Sequence, residues 1–102
     1  MNDRISVFVR CGERFEPPSG ESNWIVITLP HNLTPEDIGQ AVQDVRTAIR
    51  KHDEARLLIA GPVVLGVAMG QGLAHEPTAI EYVLLNQATK RFEPWLSNRR
   101  NL

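Results

Sequence analysis

Hydrophobic and polar positions divide the chain into segments with two different periods. "RISVFVR" (4–10) alternates Ile5, Val7 and Val9 with Arg4, Ser6 and Arg10, and only Phe8 interrupts its polar side. That period of two predicts a strand. "GERFEPPSGES" then brings glycine, paired prolines and serines, the composition of a surface loop. "NWIVITL" (23–29) is β-branched and almost continuously apolar, which predicts a strand covered on both faces and the central strand of a sheet. In "LTPEDIGQAVQDVRTAIRKH" the period changes: Ile38, Ala41, Val42, Val45 and Ile49 form one helical stripe of roughly five turns. Thr34 suits the N-cap and Pro35 the first helical position, and Glu36 and Asp37 place negative charge where the helix dipole favours it. Leu33 and Ile38 have the spacing of a hydrophobic staple.

The second half repeats the alternation of strand and helix. "RLLIAG" (56–61) reads as a short buried strand, and Pro62 opens a helix that reaches about Leu73 before "HEP" ends it. "TAIEYVLLN" (78–86) is a third strand, with Ile80, Tyr82 and Leu84 on one side and Ala79, Val83 and Leu85 on the other. "NQATK" (86–90) is a turn, "RFEPWL" (91–96) a short edge strand whose Pro94 lacks a ladder donor, and residues 97–102 a polar tail. Strands alternating with helices predict right-handed crossovers and a mainly parallel sheet flanked by helices, a small Rossmann-like α/β fold with short edge strands. Ligands on such sheets gather at the carboxyl ends of the strands, where the strand order switches. This points to two loops, Pro30–Thr34 and Gly61–Val64.

Composition narrows the chemistry. A chain of 102 residues, 42% hydrophobic and 23% charged, is expected to form one globular domain over 1–102. Eleven Lys and Arg against twelve Asp and Glu leave a net charge of -1, so no long-range positive field attracts a DNA or RNA duplex. A small anion is another matter, because a few backbone amides and one or two arginines hold it locally. The single Cys11 makes neither an internal disulfide nor a thiolate metal cluster, and reads as a partly buried thiol near a strand end. No metal or cofactor is expected. The start of the chain lacks a targeting pattern and the run 57–70 is shorter than the ~20 residues of a membrane span, so the expected location is the cytoplasm, away from membranes.

Candidate chemistry lies in the two loops. Gly61 permits a sharp turn and Pro62 presets the first helical residue, which would turn the amides of Val63, Val64 and Leu65 outward toward a phosphate or an adenine edge. The same spacing suits a strand-to-helix turn that binds nothing. Gly66 and Gly70 share a helix face at a cost of ~1 kcal/mol each, which predicts close packing against the sheet or a second subunit. No G-x-G-x-x-G follows the first strand, which argues against a nicotinamide dinucleotide. In the other loop His31 has the chemistry of an acid or base and Asn32 that of a base-edge or phosphate ligand, the alternative being an exposed loop without a role. His52 and His75 lie near helix C-termini, where partial positive charge is favourable. Arg10 ends the first strand, within reach of the same rim or simply solvated. Trp24 is expected in the core, and Trp95 at an interface or as a stacking platform.

"EARLLIAGPVVLGVAMGQGLAHEPTAIEYVLLNQATKRFEPWL" resembles the second half of SAVED domains and the related CARF domains: an apolar strand, a Gly-Pro turn, a helix of small residues, a strand and a final segment with proline. "PHNLTPEDI" before that layout resembles the small stand-alone CARF-like accessory proteins of type III CRISPR systems, and the resemblance covers about 23–96. It implies a CARF-like sensor fold that binds a cyclic oligonucleotide, commonly a cyclic oligoadenylate, across a homodimer. A two-fold axis matches an even-membered ring and doubles every contact. Some relatives signal to an attached effector, some cleave the ring and some sequester it; a chain of this length is expected to lack the effector. The implied function is sequestration in antiviral signalling, with Arg10, His31, Asn32, Thr34, Gly61, Pro62, Val63, Val64 and Arg91 as ligand-binding residues. A metal-independent ring nuclease is the alternative, with His31 as catalytic acid-base, Arg10 or Arg91 stabilising charge, and the ribose 2′-hydroxyl in line with the phosphate. A third reading is a non-enzymatic interaction subunit that pairs through the edge at 91–96. Residues 1–22 depart from the family layout, and are expected to extend the sheet or to cover the ligand.

Overall fold

The structure, a computed structural model, describes residues 4–13, 15–17, 23–86, 89 and 91–97, with side chains for all of these except Asn86 and 94–97. Its elements are β1 (Arg4–Cys11), β2 (Trp24–Leu29), α1 (Pro35–Ile49), β3 (Glu54–Ala60), α2 (Val63–Gly72), β4 (Ala79–Asn86) and β5 (Arg91–Ser97). They build one five-stranded sheet in the order β2-β1-β3-β4-β5. Neighbouring strands are parallel except β5, which runs antiparallel to β4, with a register shift where Pro94 enters the ladder. This is the small Rossmann-like architecture that the alternation of periods predicts. The polar tail at 98–102, positions 87, 88 and 90 of the last turn, and the side chain of Trp95 lie outside the described residues.

The interior position falls to β1, and the expectation that 23–29 forms the central strand is corrected: β2 is an edge. Val7, Phe8 and Val9 are fully buried, whereas Ile25 and Val26 of β2 are 40% and 41% exposed. A continuous apolar run reports two apolar faces, and β2 has both, one toward α1 and one toward Phe8. It carries no information about whether a strand lies beyond. Residues 4–11 do add a strand to the sheet, in its interior rather than at its margin: β1 pairs on one side with β2 and on the other with β3, placing Val7 between Ile25 and Leu57.

Both helices pack on one face. The steps from β2 to β3 and from β3 to β4 move across the sheet in the same direction, so right-handed crossovers put α1 and α2 on the same side. There Val7, Val9, Leu57, Ile59, Ile80 and Tyr82 meet Ala41, Val42, Val45 and Ile49 of α1 and Leu65 and Met69 of α2. The start of α1 is as the sequence predicts: Thr34 Oγ1 accepts from the Asp37 amide at 3.1 Å, and Asp37 Oδ2 accepts from the Thr34 amide at 3.1 Å, a complete capping box. Leu33 and Ile38 pack against the core beside it. The helices touch at Gly72, where a Cβ would stand 2.6 Å from Val42 Cγ1. Arg46 donates to the Gly72 carbonyl at 2.7 Å and pairs with Glu76 at 3.4 Å, so α1 holds the segment that leads into β4. Close packing against the sheet or a second subunit was expected at Gly66 and Gly70; Gly66 is buried, and a third glycine, Gly72, is the one that meets α1.

The step from β1 to β2 runs in the opposite direction, and of its described residues Phe15 packs on the other face. Phe8, Leu58, Ala60 and Val83 are buried on this face, with Phe15, Trp24, Leu85 and Phe92 packed around them. Phe8 meets Trp24 edge-on with ring centres 6.2 Å apart, and Phe92 at 6.0 Å. Phe15 comes from the connecting loop, held by Arg10, whose guanidinium donates to the Phe15 carbonyl at 2.7 Å and to Thr28 Oγ1 at 2.8 Å.

Candidate functional site

The strand order changes direction at β1 and β3, which places the crevice between the loops that follow them. Gly61–Val64 is one of those loops. The other is Gly12–Phe15, which sequence reasoning did not single out because the strand order needed to find it is not visible in the chain. Pro30–Thr34, the second predicted loop, borders the same edge one strand further on.

Gly12 joins these parts. Its φ of +80° lies in the left-handed region that favours glycine, and its amide donates to the Leu29 carbonyl at 2.8 Å. A Cβ here would collide with the His31 ring, 2.7 Å from Nε2, so the Gly12 backbone lies directly against the imidazole. On the other side a Cβ at Gly61 would stand 2.9 Å from Cys11 Sγ. His31, Gly12, Cys11 and Gly61 therefore form one continuous row across the carboxyl ends of β2, β1 and β3. A glycine directly after the first predicted strand was the available signal for the middle of this row.

Two helices begin at this edge, and they differ in charge. At α1 the capping box and the acidic Glu36 and Asp37 already satisfy the amides and the dipole. At α2 there is no side-chain cap and no acidic residue in the first turn. Pro62, expected as the first helical residue, is instead the N-cap with extended ψ of 153°. Of the three amides expected to face outward, that of Leu65 donates to the Pro62 carbonyl at 3.0 Å. The amides of Val63 and Val64 lack intrahelical partners, and these two side chains are 71% and 54% exposed.

The other predicted site residues divide into three groups. His31 and Asn32 are exposed at this rim. Thr34 stands beside them with its hydroxyl serving the α1 cap, and Arg10 has its guanidinium turned to the loop and to β2. Arg91 starts β5 at the same end of the sheet but four strands from β2, roughly 20 Å away. The structure puts His31 and the start of α2 on one edge, two strand spacings apart, and leaves Arg91 farther along it within one chain. Burial pushes the Cys11 thiol up, which suppresses the thiolate a nucleophile needs. Among the described residues no three His, Cys, Asp or Glu side chains group to hold a metal, and no helix is long and apolar enough to cross a membrane.

A mainly parallel sheet that switches direction above an uncapped helix start is a small Rossmann-like arrangement. No family model and no curated protein matches the chain. Among solved structures it is similar to the Acinetobacter baumannii Cap4 SAVED/CARF-domain containing receptor, with a TM-score of 0.62 and 16% identity over 94% of this chain. The chain spans 23% of that receptor's length, and the likeness is one of fold.

Proposed function

We propose that this chain is a single ligand-binding domain that takes up a cyclic oligonucleotide, a cyclic oligoadenylate by its resemblance, at the carboxyl edge of the sheet. The observation that carries the reading is the contrast between the two helix starts. One is saturated by its own carboxylates; the other presents amides with no side-chain cap and no acid in its own first turn, after a Gly61 that lies against Cys11. Phosphates sit at Val63 and Val64 after the Gly61-Pro62 turn, with His31 and Asn32 on the opposite rim. The two loops lie about 10 Å apart, two strand spacings, which suits a ligand larger than a single phosphate.

The proposed assembly is a homodimer. Val63, Val64 and Val67 are exposed on one side of α2 next to the site, and a second copy that covers them brings a second helix start to the same ring. Sequestration of the ring, as part of type III CRISPR signalling, follows if the ligand is held intact. The deciding experiment mixes excess protein with a panel of cyclic oligoadenylates, retains the protein on a filter and identifies the bound nucleotide by mass. Intact ring at half-molar amount is the expected result. Linear products make the protein a ring nuclease, with His31 the first residue to replace by Ala; no retention of any ring overturns the proposal.

A further inference from the structure

A shallow pocket of about 460 Å³ lies at the ends of β1 and β2, lined by Gly12, Glu13, Thr28, Leu29, Pro30 and His31. Its chemistry differs from that of the α2 start. Glu13 is exposed, and among the described residues no hydrogen bond or ion pair engages its carboxylate. Arg10, at the end of β1, donates instead to Thr28 and to the Phe15 carbonyl. Thr28 Oγ1 accepts from Arg10, which leaves its hydroxyl proton to donate. An ionised carboxylate only accepts hydrogen bonds and repels phosphate. The pocket therefore suits a group with an N–H to give and a ring nitrogen to receive.

We infer that this pocket is the nucleobase subsite of the proposed ligand site, in which Glu13 accepts from the exocyclic amino group of adenine and Thr28 donates to the adjacent ring nitrogen. The inference rests on the proposed binding of a cyclic oligonucleotide and adds the residue that selects its base. Geometry supports the division of labour. Gly12 lines the pocket, and Cys11 beside it touches Gly61, so base pocket and phosphate site are about 5–10 Å apart, one to two strand spacings. One nucleotide bridges that distance. Hypoxanthine replaces the amino group with a carbonyl, which sets oxygen against the carboxylate and reverses the donor pattern.

The test compares retention of cyclic oligoadenylates of three to six units with that of the corresponding cyclic oligoinosinates, for the unchanged protein and for Glu13→Ala and Glu13→Gln. The unchanged protein is expected to prefer the adenylate roughly 10- to 100-fold, the range of a hydrogen bond to a charged group. Glu13→Ala is expected to bring the two ligands within a few-fold of each other at an unchanged melting temperature. A preference that survives in Glu13→Ala, or no preference in the unchanged protein, overturns the subsite and leaves ring binding standing. Retention of neither ring overturns both readings.

Discussion

The two faces of the sheet reach the same depth of burial by different means. On one face α1 and α2 shield aliphatic side chains, and Val7, Leu57, Ile80 and Tyr82 are almost fully inaccessible. On the other, a loop residue and the rings of Trp24 and Phe92 bury Phe8 and Leu58 just as completely, with no helix among the described residues of that face. The difference is the covering material rather than its reach. Neither layer closes over the β2 margin, where Ile25 on the helical face is 40% exposed and Val26 on the aromatic face 41%. A small chain thus closes a parallel sheet on its second side with large rings and a pinned loop.

The strongest challenge to this comparison is Phe8→Ala. If the aromatic face is a true core, the substitution removes the ring on which Trp24 and Phe92 pack and costs about 3–5 kcal/mol in chemical denaturation. Leu57→Ala on the helical face is expected to cost a similar ~2–5 kcal/mol. A loss below ~1 kcal/mol for Phe8→Ala would show that only the helical face holds the fold together.

A smaller effect separates the faces by pH. Burial pushes the Tyr82 phenol on the helical face up to about 12, against an ordinary value of 10.0. The folded state binds that proton more tightly than the unfolded chain, so its contribution is intact below pH ~10 and is lost as pH rises through ~12. The whole effect is ~2–3 kcal/mol, two pKa units at 1.36 kcal/mol each. Stability measured across this range is expected to fall in the parent and to fall less in Tyr82→Phe; equal slopes would mean that the helices do not keep water from the phenol.

The smallest effect is local to the helical layer. Gly72→Ala introduces a Cβ where Val42 Cγ1 already stands, and is expected to cost about 1–2 kcal/mol. Val42→Ala in the same chain should recover part of that loss. Strictly additive effects in the double-mutant cycle would show that the helices do not depend on this contact.

Legibility followed the range of the interactions. Helix α1 was readable in detail because its cap, its first-turn charges and its apolar stripe all involve residues within a few positions of one another. Strand β4 was readable for the same reason, its two sides falling to the two faces as the alternation predicts. At the candidate site, His31 and the Gly61-Pro62 turn were recognisable as residue types, but the proposed base-selecting Glu13 was not, because nothing local distinguishes its carboxylate from any other loop acid. Arg10 shows the same limit: an arginine at a strand end suits an anion, but that two of its donors go to the Phe15 carbonyl and Thr28 depends on residues its own neighbourhood does not reveal.

The sequence by itself determined the elements, the handedness of their connections and the near-neutral charge, since these depend on side-chain period, backbone chirality and composition. Only the tertiary structure decided that β1 runs between β2 and β3, that both helices share one face, and that Gly12 lies against His31 beside the start of α2. Strand order is set by which distant edges pair and by what covers each face once they have paired. Local periodicity records neither, so the edge and centre of this sheet became distinguishable only when the strands had met.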